Sequence, residues 1–540
     1  MSETAAFDAL AAEFFSVWLR FHPDRAVAAG VADYADRLPA QADDDFGALA
    51  SWLESLIVAL QEVDFASLDD PRRIDLELML ALAMVEYREA HVRDWRHRDP
   101  LRFLPMAEIH RLTLLNPDGM RDSLAALLAG VPGHLRRASG QLRPTAELVP
   151  PVLVAAASAA ARDGRRYLRE LTSSRWLSDQ CWGTGELKTL GEAAGAALAG
   201  FADALDAEVA PRAAAAAGCG VAHLSFLLAH RHLLQVDLDA CRVLVARAEA
   251  DTAADLDNAR GADPAANEAT PTSAAEIRDQ FVHICQSLAE RLGREGPVSL
   301  HQMPLRVVGG PVCPRPRHLG RVDYVPDLLG GRGFLYLPDG EESPGPTPAQ
   351  MLIRCFTEGW GGTHLLTFAG GMPARSVPRR LAGDSSLNGG WSLYLAEHLA
   401  NRSGASAGER WAVLLGRRRA VVAAAVDLGL HAGELTADQA MDRLQAAGWD
   451  ASAALDDIAA IVQHPGDALA RVLGWQLIRA ARNRLEGQGG FDEHRFHDRL
   501  LTLGPVPLTM VLRYNFDAEL AADVIDDVCG EKRPGDGVKD

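Results

Sequence analysis

Apolar residues recur every three or four positions along most of this chain, which is the spacing of one buried helical face. From Phe7 to Arg20 they are Leu10, Phe14, Val17 and Trp18. The same period predicts helices at about 44–63, 72–90, 119–139, 151–172, 187–216, 220–250 and 274–293, and again from Ala349 almost to Ala522. The chain is therefore predicted to be mainly α-helical.

Between residues 297 and 338 this pattern gives way to short apolar runs separated by Gly and Pro. The runs are Val298–His301, Leu305–Val308, Val322–Val325 and Gly333–Leu337. We expect them to form a small antiparallel β insert that flanks a deep cleft.

The remaining stretches are polar and rich in small residues, so they predict irregular structure. We expect an exposed linker or insertion at 251–273, a flexible loop at 338–348 and a disordered tail at 529–540. No repeat of fixed period divides the rest, so residues 1–528 are predicted to be one helical domain. Its 349–528 half is predicted to carry the functional site.

Composition and charge exclude several functional classes. Hydrophobic residues make up 48% of the 540 residues, which is ordinary for a folded protein with a sizeable core. The formal net charge of −19 opposes binding to nucleic acid or anionic lipid. No apolar run approaches the ~20 residues that span a bilayer, and the first residues lack the basic and apolar segments of an export signal. The seven cysteines include no C-x-x-C pair, which favours reduced thiols in a cytoplasmic protein.

Two motifs in the second half carry candidate chemistry. The first is Thr-Glu-Gly-Trp-Gly-Gly-Thr-His-Leu-Leu at 357–366, and the second is Asn-Gly-Gly-Trp-Ser-Leu-Tyr at 388–394. Each glycine inside a helix costs about 1 kcal/mol relative to alanine. Three of them in one turn therefore predict either a close backbone approach or a break in the helix.

These motifs resemble the bacterial domain-of-unknown-function 885 family, whose members look like zinc metallopeptidases. The family signature His-Glu-x-x-Pro-Gly-His-His-Leu-Gln places its Glu on Glu358, its second paired His on His364 and its Leu on Leu365. The family's second helix, opening Glu-Gly-Trp-x-Leu-Tyr, matches Gly390 to Tyr394. Weaker likeness runs in order through 7–38, 427–433, 465–469 and 496–508. The resemblance implies a large zinc-peptidase-like helical body.

The departures from the family pattern fall where the resemblance implies metal ligands. Thr357 and Thr363 stand in place of two histidines, and Gly389 stands in place of an acidic residue. Zinc binds His nitrogen, Cys sulfur or carboxylate oxygen, so threonine is a poor substitute and glycine offers nothing. Arg471 stands where the family has a tyrosine that resembles an oxyanion-stabilising group. We expect that metal binding was abandoned and that no cofactor is used.

The residues that remain suggest acid/base chemistry. The resemblance implies a general base at Glu358. We expect His364 to assist the proton transfer and Arg471, as a permanent cation, to hold or neutralise an anion. These three are the predicted catalytic residues. An ordinary Glu pKa of about 4.3 makes Glu358 a weak base at pH 7 unless burial raises its pKa. The residues predicted to line the substrate site are Thr357, Thr363, Trp391, Tyr394, His431 and His497.

Each of these residues also has a purely structural interpretation. Glu358 could pair with an arginine, and His364, His431 and His497 could be hydrogen-bonded core histidines. Trp391 and Tyr394 could be core aromatics. A relocated metal between Glu358 and His364 would need the glycine turn to bend, since residues six apart on a straight helix do not face each other. We interpret the His230–His232 run as solvated surface.

The sequence favours a metal-independent, repurposed relative of a zinc metallopeptidase. Its expected substrate is a small acyl, peptide-like or amino-acid-derived molecule, with specialised-metabolite biosynthesis as a plausible setting. Two alternatives stay open, namely a working zinc peptidase with nonstandard ligands and a non-catalytic protein that binds a ligand or partner. Neither a nucleic-acid nor a membrane partner is expected, and homodimer formation is left open.

Overall fold

Helices dominate the computed structural model, which describes residues 3–115, 119–174, 184–259, 273–310, 324–328, 330–338, 347–369, 376–402 and 404–530. The first half contains α1 Glu3–Phe21, α2 Pro23–Ala28, α3 Asp43–Gln61, α4 Asp70–Tyr87, α5 Met106–Leu115, α6 Met120–Leu142, α7 Pro151–Ser173, α8 Thr184–Ala204, α9 Val221–His230, α10 Leu238–Ala259 and α11 Ala274–Glu295. The mainly helical class predicted from the apolar period is confirmed.

The strands and the remaining helices follow in the second half of the chain. They are β1 Leu305–Gly310, β2 Tyr324–Asp327, β3 Arg332–Pro338, α12 Pro348–Thr357, α13 Thr363–Phe368, α14 Val377–Leu381, α15 Ser385–Ala400, α16 Ala407–His431, α17 Ala437–Ala446, α18 Ala451–Gln463, α19 Asp467–Gly487, α20 Glu493–Leu501, α21 Leu508–Val511 and α22 Ala518–Cys529. Short 3-10 or π turns occupy Ala32–Tyr34, Phe65–Ser67, Arg88–Val92, Trp95–His97, Pro100–Phe103, Ala146–Leu148, Leu205–Val209 and Leu512–Phe516.

The small sheet is mixed, so the antiparallel prediction is wrong in part. β3 lies in the middle, with β2 antiparallel on one side and β1 parallel on the other. The run Val298–His301 is not a strand. A parallel β1–β3 pair needs a crossover connection between its strands, and apolar runs alone do not distinguish that arrangement from hairpins.

Several predicted boundaries also shift. Helix α10 continues to Ala259, so the first part of the predicted 251–273 linker is helical, and 260–272 lie outside the described residues. The helical stretch predicted from Ala349 onward breaks between α12 and α13. The predicted loop at 338–348 and tail at 529–540 lie largely outside the described residues; of the tail, Cys529 is helical and Gly530 described.

Polar caps define where the helices that build the site begin. Thr347 and Gln350 form a capping box at α12, and Ser406 and Glu409 form one at α16. In each box the hydroxyl and the longer side chain satisfy backbone N–H groups that the first helical turn leaves unpaired. Asp384 caps α15 through the Ser386 N–H.

The core confirms the predicted buried face of the first helix, since Phe14 and Trp18 are buried. Among the described helices, none combines the length and apolar character that a bilayer-spanning segment requires. The five described cysteines form no disulfide, while Cys181 and Cys313 lie outside the described residues.

Helices α15 and α19 cross at backbone distance. A Cβ atom added to Gly390 would lie 2.6 Å from the carbonyl carbon of Gly474, and one added to Gly474 would overlap the Ser386 carbonyl oxygen. No larger residue fits either position without separating the two helices. The crossing therefore fixes the relative position of the side chains that the two helices present beside it.

We expect Gly474→Ala to lower the free energy of unfolding by about 1–3 kcal/mol or more, because the new methyl group overlaps backbone atoms that cannot turn away. Gly200→Ala is the matched control. It lies in α8 with open space around its Cβ position, so the substitution should stabilise the helix by about 0.5–1 kcal/mol. Urea unfolding measures both, and equal effects would show that the crossing tolerates a side chain.

Candidate functional site

A cavity of about 470 Å³ lies among α12, α15, α16 and α19, with residues from the α17–α18 region at one side. Its polar lining residues are Arg354, Thr357, Glu358, Thr363, Ser385, Asn388, Ser392, Arg417, Arg419, Asp457 and Arg471. Both sequence motifs therefore contribute to one cavity, together with an arginine that lies more than 80 residues further along the chain.

The glycine-rich turn sets the position of Glu358. Helix α12 ends at Thr357, and the chain coils tightly through 358–362 before α13 begins. A Cβ atom at Gly359 would lie 2.8 Å from the Cys355 carbonyl oxygen, and one at Gly362 would overlap backbone carbonyl oxygens. The predicted need for a close approach and a helix break is confirmed.

Thr357 and Thr363 both make hydrogen bonds within this turn. The Thr363 hydroxyl donates to the Thr357 carbonyl oxygen at 3.0 Å, and the Thr357 hydroxyl donates to the Arg354 carbonyl oxygen at 3.3 Å. Both side chains are half-buried and line the cavity. Their hydroxyl oxygens keep lone pairs for a ligand, whereas their protons are committed to the backbone.

Arg471 lies across Gly389. A Cβ atom at Gly389 would stand 2.5 Å from Cγ and 2.7 Å from Nε of Arg471. The arginine side chain thus fills the space that any side chain at 389 would need. Arg471 is exposed within the cavity and forms no hydrogen bond or ion pair with the residues that the structure describes.

Positive charge prevails in the cavity lining, where four arginines face two carboxylates. Arg417 is engaged by Glu397 at 3.0 Å and by Asp255, and Arg419 lies over the Trp449 ring at 4.8 Å. Arg471, which has no partner among the described residues, is placed to interact with an incoming anion.

His364 does not line this cavity. It is fully buried, with Nε2 donating to the Met303 carbonyl oxygen at 3.0 Å and Nδ1 accepting from the Tyr324 hydroxyl at 3.0 Å. Burial lowers the pKa of His364 to about 4, so the ring is neutral. This geometry matches the core-histidine interpretation, in which His364 holds α13 against the sheet.

The aromatic residues of the second motif are also core residues. Trp391 is fully buried, and the Tyr394 hydroxyl donates to Nε2 of His497 at 2.8 Å. Nδ1 of His497 donates to the Pro297 carbonyl oxygen at 2.7 Å, and burial lowers the pKa of His497 to about 4. Trp391, Tyr394 and His497 lie close together, and none of them lines the cavity.

His431 lies at the end of α16 in another buried position. Its Nδ1 accepts the Cys219 backbone N–H at 3.1 Å, and its Nε2 donates to the Ile461 carbonyl oxygen at 3.0 Å. Both ring nitrogens are thereby satisfied. Of the nine predicted site residues, the cavity gathers Thr357, Glu358, Thr363 and Arg471.

Sequence reasoning missed Asn388 as a cavity residue. Its Oδ1 is buried and has no hydrogen-bond partner among the described residues. The only sequence signal was its place beside the Gly-Gly-Trp run. Arg354, Arg417 and Arg419 were missed because arginine is common throughout the chain.

The interpretation of His232 as solvated surface is wrong, because the residue is 1% exposed. Its Nδ1 lies 2.8 Å from Asp384 and its Nε2 lies 3.2 Å from Asp467. Burial would lower the pKa of His232, but the charges and hydrogen bonds of the two carboxylates outweigh burial and raise the pKa to about 9. A buried imidazolium therefore ties together the first residues of α15 and α19.

The cavity residues do not fit a zinc ion. Thr357 and Thr363 are weak ligands, Gly389 has no donor, and the cation of Arg471 occupies the space beside it. No group of three or more His, Cys, Asp or Glu side chains in the described ranges is placed to hold a metal.

The described residues form a mainly helical fold with a small mixed sheet. The chain belongs to the family described as bacterial protein of unknown function (DUF885), whose model matches residues 23–513. No curated protein matches the sequence.

Two solved structures share this fold. A putative lipoprotein of unknown function from Shewanella oneidensis is 16% identical over 94% of this chain and 98% of its own, with a TM-score of 0.65. The putative lipoprotein from Colwellia psychrerythraea is 15% identical over 98% of this chain and 100% of its own, with a TM-score of 0.76. At such identities the likeness concerns the fold alone.

We expect His232→Gln to destabilise the protein, because it leaves the buried carboxylate of Asp384 and the partly exposed carboxylate of Asp467 without their cation. Since the folded-state pKa of His232 is raised to about 9, its stabilising contribution is complete below the unfolded-state pKa of about 6.5 and is lost as pH rises through 9. The loss in unfolding free energy should be on the order of 3 kcal/mol near pH 6 and should shrink toward pH 10. Denaturant unfolding across this range measures it.

His283→Gln is the control for this change, because His283 is exposed on α11. A pH-independent difference between wild type and His232→Gln would contradict a charged His232.

The resemblance to zinc metallopeptidases predicts metal donors at positions 357, 363 and 389, so placing those donors in the cavity should create a zinc site. We expect the combined variant Thr357→His, Thr363→His, Gly389→Glu and Arg471→Tyr to bind one zinc ion per chain, and the wild type to bind none after dialysis. Elemental analysis and zinc titration measure this. Stoichiometric zinc in the wild type would contradict the loss of the metal site, and no zinc in the variant would show that the metal position lies elsewhere.

Proposed function

We propose that this protein is a metal-independent enzyme, repurposed from a zinc metallopeptidase-like ancestor, that uses acid/base chemistry on a small acyl, peptide-like or amino-acid-derived substrate. The observation that carries the proposal is the placement of Arg471 across Gly389, in the cavity that Glu358 also lines. A fixed cation and a carboxylate in one cavity can bind an anionic group and move a proton beside it.

Each residue has a distinct part in this proposal. Arg471 holds a carboxylate or a developing oxyanion through its fork of N–H donors. Glu358 accepts or gives the proton at the reacting centre. The Thr357 and Thr363 oxygens and Asn388 orient the substrate by accepting its N–H or O–H groups.

His364 has no direct role in this proposal. It is a positioning residue, since its two hydrogen bonds keep α13 and the glycine turn against the sheet. The Tyr394–His497 pair holds α15 in a similar way. The cytoplasmic location remains a prediction, which cell fractionation would test. Homodimer formation remains open, and light scattering would test it.

The proposal is most directly tested with Glu358→Gln. N-acyl amino acids and dipeptides, incubated with metal-free protein and followed by mass spectrometry, would identify a turned-over substrate. We expect Glu358→Gln to lower kcat by about 100-fold or more, because a positioned acid or base contributes about 10²–10⁴ in rate. Glu62→Gln, an exposed change beyond α3, is the matched control.

Three outcomes would count against this function. Turnover abolished by a chelator and restored by zinc would favour a working zinc peptidase. Turnover unchanged in Glu358→Gln would remove Glu358 from the mechanism. Ligand binding that depends on Arg471, without turnover of any tested compound, would favour a non-catalytic binding protein.

A further inference from the structure

Two buried cysteines meet where α11 packs against α12. Cys285 of α11 and Cys355 of α12 both carry free thiols, and their Sγ atoms lie 2.8 Å apart. One thiol therefore donates to the sulfur of the other. A disulfide has an S–S bond of about 2.05 Å, so the two sulfur atoms already lie within about 1 Å of bonding distance.

The two thiols differ in their access to small molecules. Cys355 is completely buried, whereas Cys285 is 5% exposed. Burial and the neighbouring Cys285 thiol raise the pKa of Cys355 well above its ordinary value, so Cys355 stays protonated at neutral pH. An oxidant that reaches this pair from solvent therefore meets the sulfur of Cys285 first.

Cys355 is also in contact with the turn that carries Glu358. Its carbonyl oxygen accepts the Gly361 N–H at 3.3 Å, and a Cβ atom added to Gly359 would lie 3.3 Å from the Cα atom of Cys355. The glycine turn is thus wound against the backbone of Cys355, two residues before Thr357, which lines the cavity. Opening of this turn has to break its contacts with Cys355.

We propose that Cys285 and Cys355 form a reversible disulfide that acts as a redox switch on the glycine turn. With hydrogen peroxide as the oxidant, the Cys285 thiolate attacks one peroxide oxygen, the O–O bond breaks, and a sulfenic acid and one water form. The Cys355 sulfur then bonds to the Cys285 sulfur, the S–O bond breaks, and the hydroxyl group leaves with the Cys355 proton as a second water. Two thiols are oxidised to one disulfide while the peroxide is reduced by two electrons, and a dithiol reductant reverses the change.

The disulfide would fasten the last turn of α12 to α11, and with it the turn that holds Glu358. Free thiols are the expected resting state in a protein predicted to be cytoplasmic, because disulfides in that compartment are usually transient and serve catalysis or redox sensing. The disulfide and its effect on the turn do not depend on the proposed function. Only the consequence for catalysis rests on that function.

The experiment treats the full-length protein with hydrogen peroxide, alkylates the remaining thiols and maps the peptides by mass spectrometry. We expect Cys285 to be linked to Cys355, and dithiothreitol to restore both thiols. Hydrogen exchange in peptides covering 355–364 should slow severalfold on oxidation, because the fastened turn opens less often. Cys285→Ser should abolish both the link and the slowing. Cys241→Ser, the matched change of a buried cysteine on α10, should leave both in place.

Cys355→Ser removes the same bond from the other side and replaces Cys285→Ser if that variant unfolds, as judged by circular dichroism. Thiols of Cys285 and Cys355 that are still alkylated after peroxide treatment, or that become sulfinic acids without linking, would overturn the proposal. A disulfide that forms without slower exchange at 355–364 would overturn the switch. None of these outcomes depends on turnover, so a failure of the proposed acid/base function would appear separately, in the measurement on Glu358→Gln.

Discussion

The backbone contact between α15 and α19 is the constraint on which the site depends. Gly390 and Gly474 let the two helices touch without side chains between them, and this contact brings Arg471 of α19 across Gly389 of α15. The buried imidazolium of His232 reinforces the arrangement, since it joins Asp384 and Asp467 at the starts of the same two helices. Close packing, a buried charge and the candidate site are thus parts of one local structure.

The residues at positions 389 and 471 determine the charge at this crossing. The resemblance to zinc metallopeptidases would place an acidic residue at position 389, where it would suit a metal cation. Here Gly389 has no side chain and Arg471 fills the space beside it, so on the proposed function a positive centre would be kept while its chemistry changes. A guanidinium binds carboxylates through directed hydrogen bonds, whereas it cannot activate a bound water as zinc does. On the proposed function, the proton transfer then falls to Glu358.

Patterns that repeat along the chain could be predicted from the sequence, and contacts between distant segments could not. The apolar period gave the helices, and the glycines at 359, 361 and 362 gave the break that positions Glu358. The partners of His232 lie 152 and 235 residues away along the chain, so nothing near His232 marks it as buried. The role of His364 was equally hidden, because Tyr324 and Met303, which satisfy its ring, lie on the β insert and just before it.

The same limit applies within the sheet and the cavity. The sequence contains four strand-like runs. Whether β1 and β3 pair in parallel depends on the path that the chain takes between them, which the runs themselves do not indicate. The position of Arg471 in the cavity followed from the family resemblance, while its overlap with Gly389 required the helix crossing. Gly389 and Arg471 are more than 80 residues apart in the sequence, whereas in the structure they lie against each other.

The account is tested most directly by a crystal structure of the wild-type protein grown with zinc and an N-acyl amino acid, with anomalous diffraction recorded at the zinc edge. It predicts the carboxylate within hydrogen-bonding distance of Arg471 and no anomalous peak beside Thr357, Thr363 and Gly389. A zinc ion coordinated in this cavity, or a carboxylate bound away from Arg471, would contradict it.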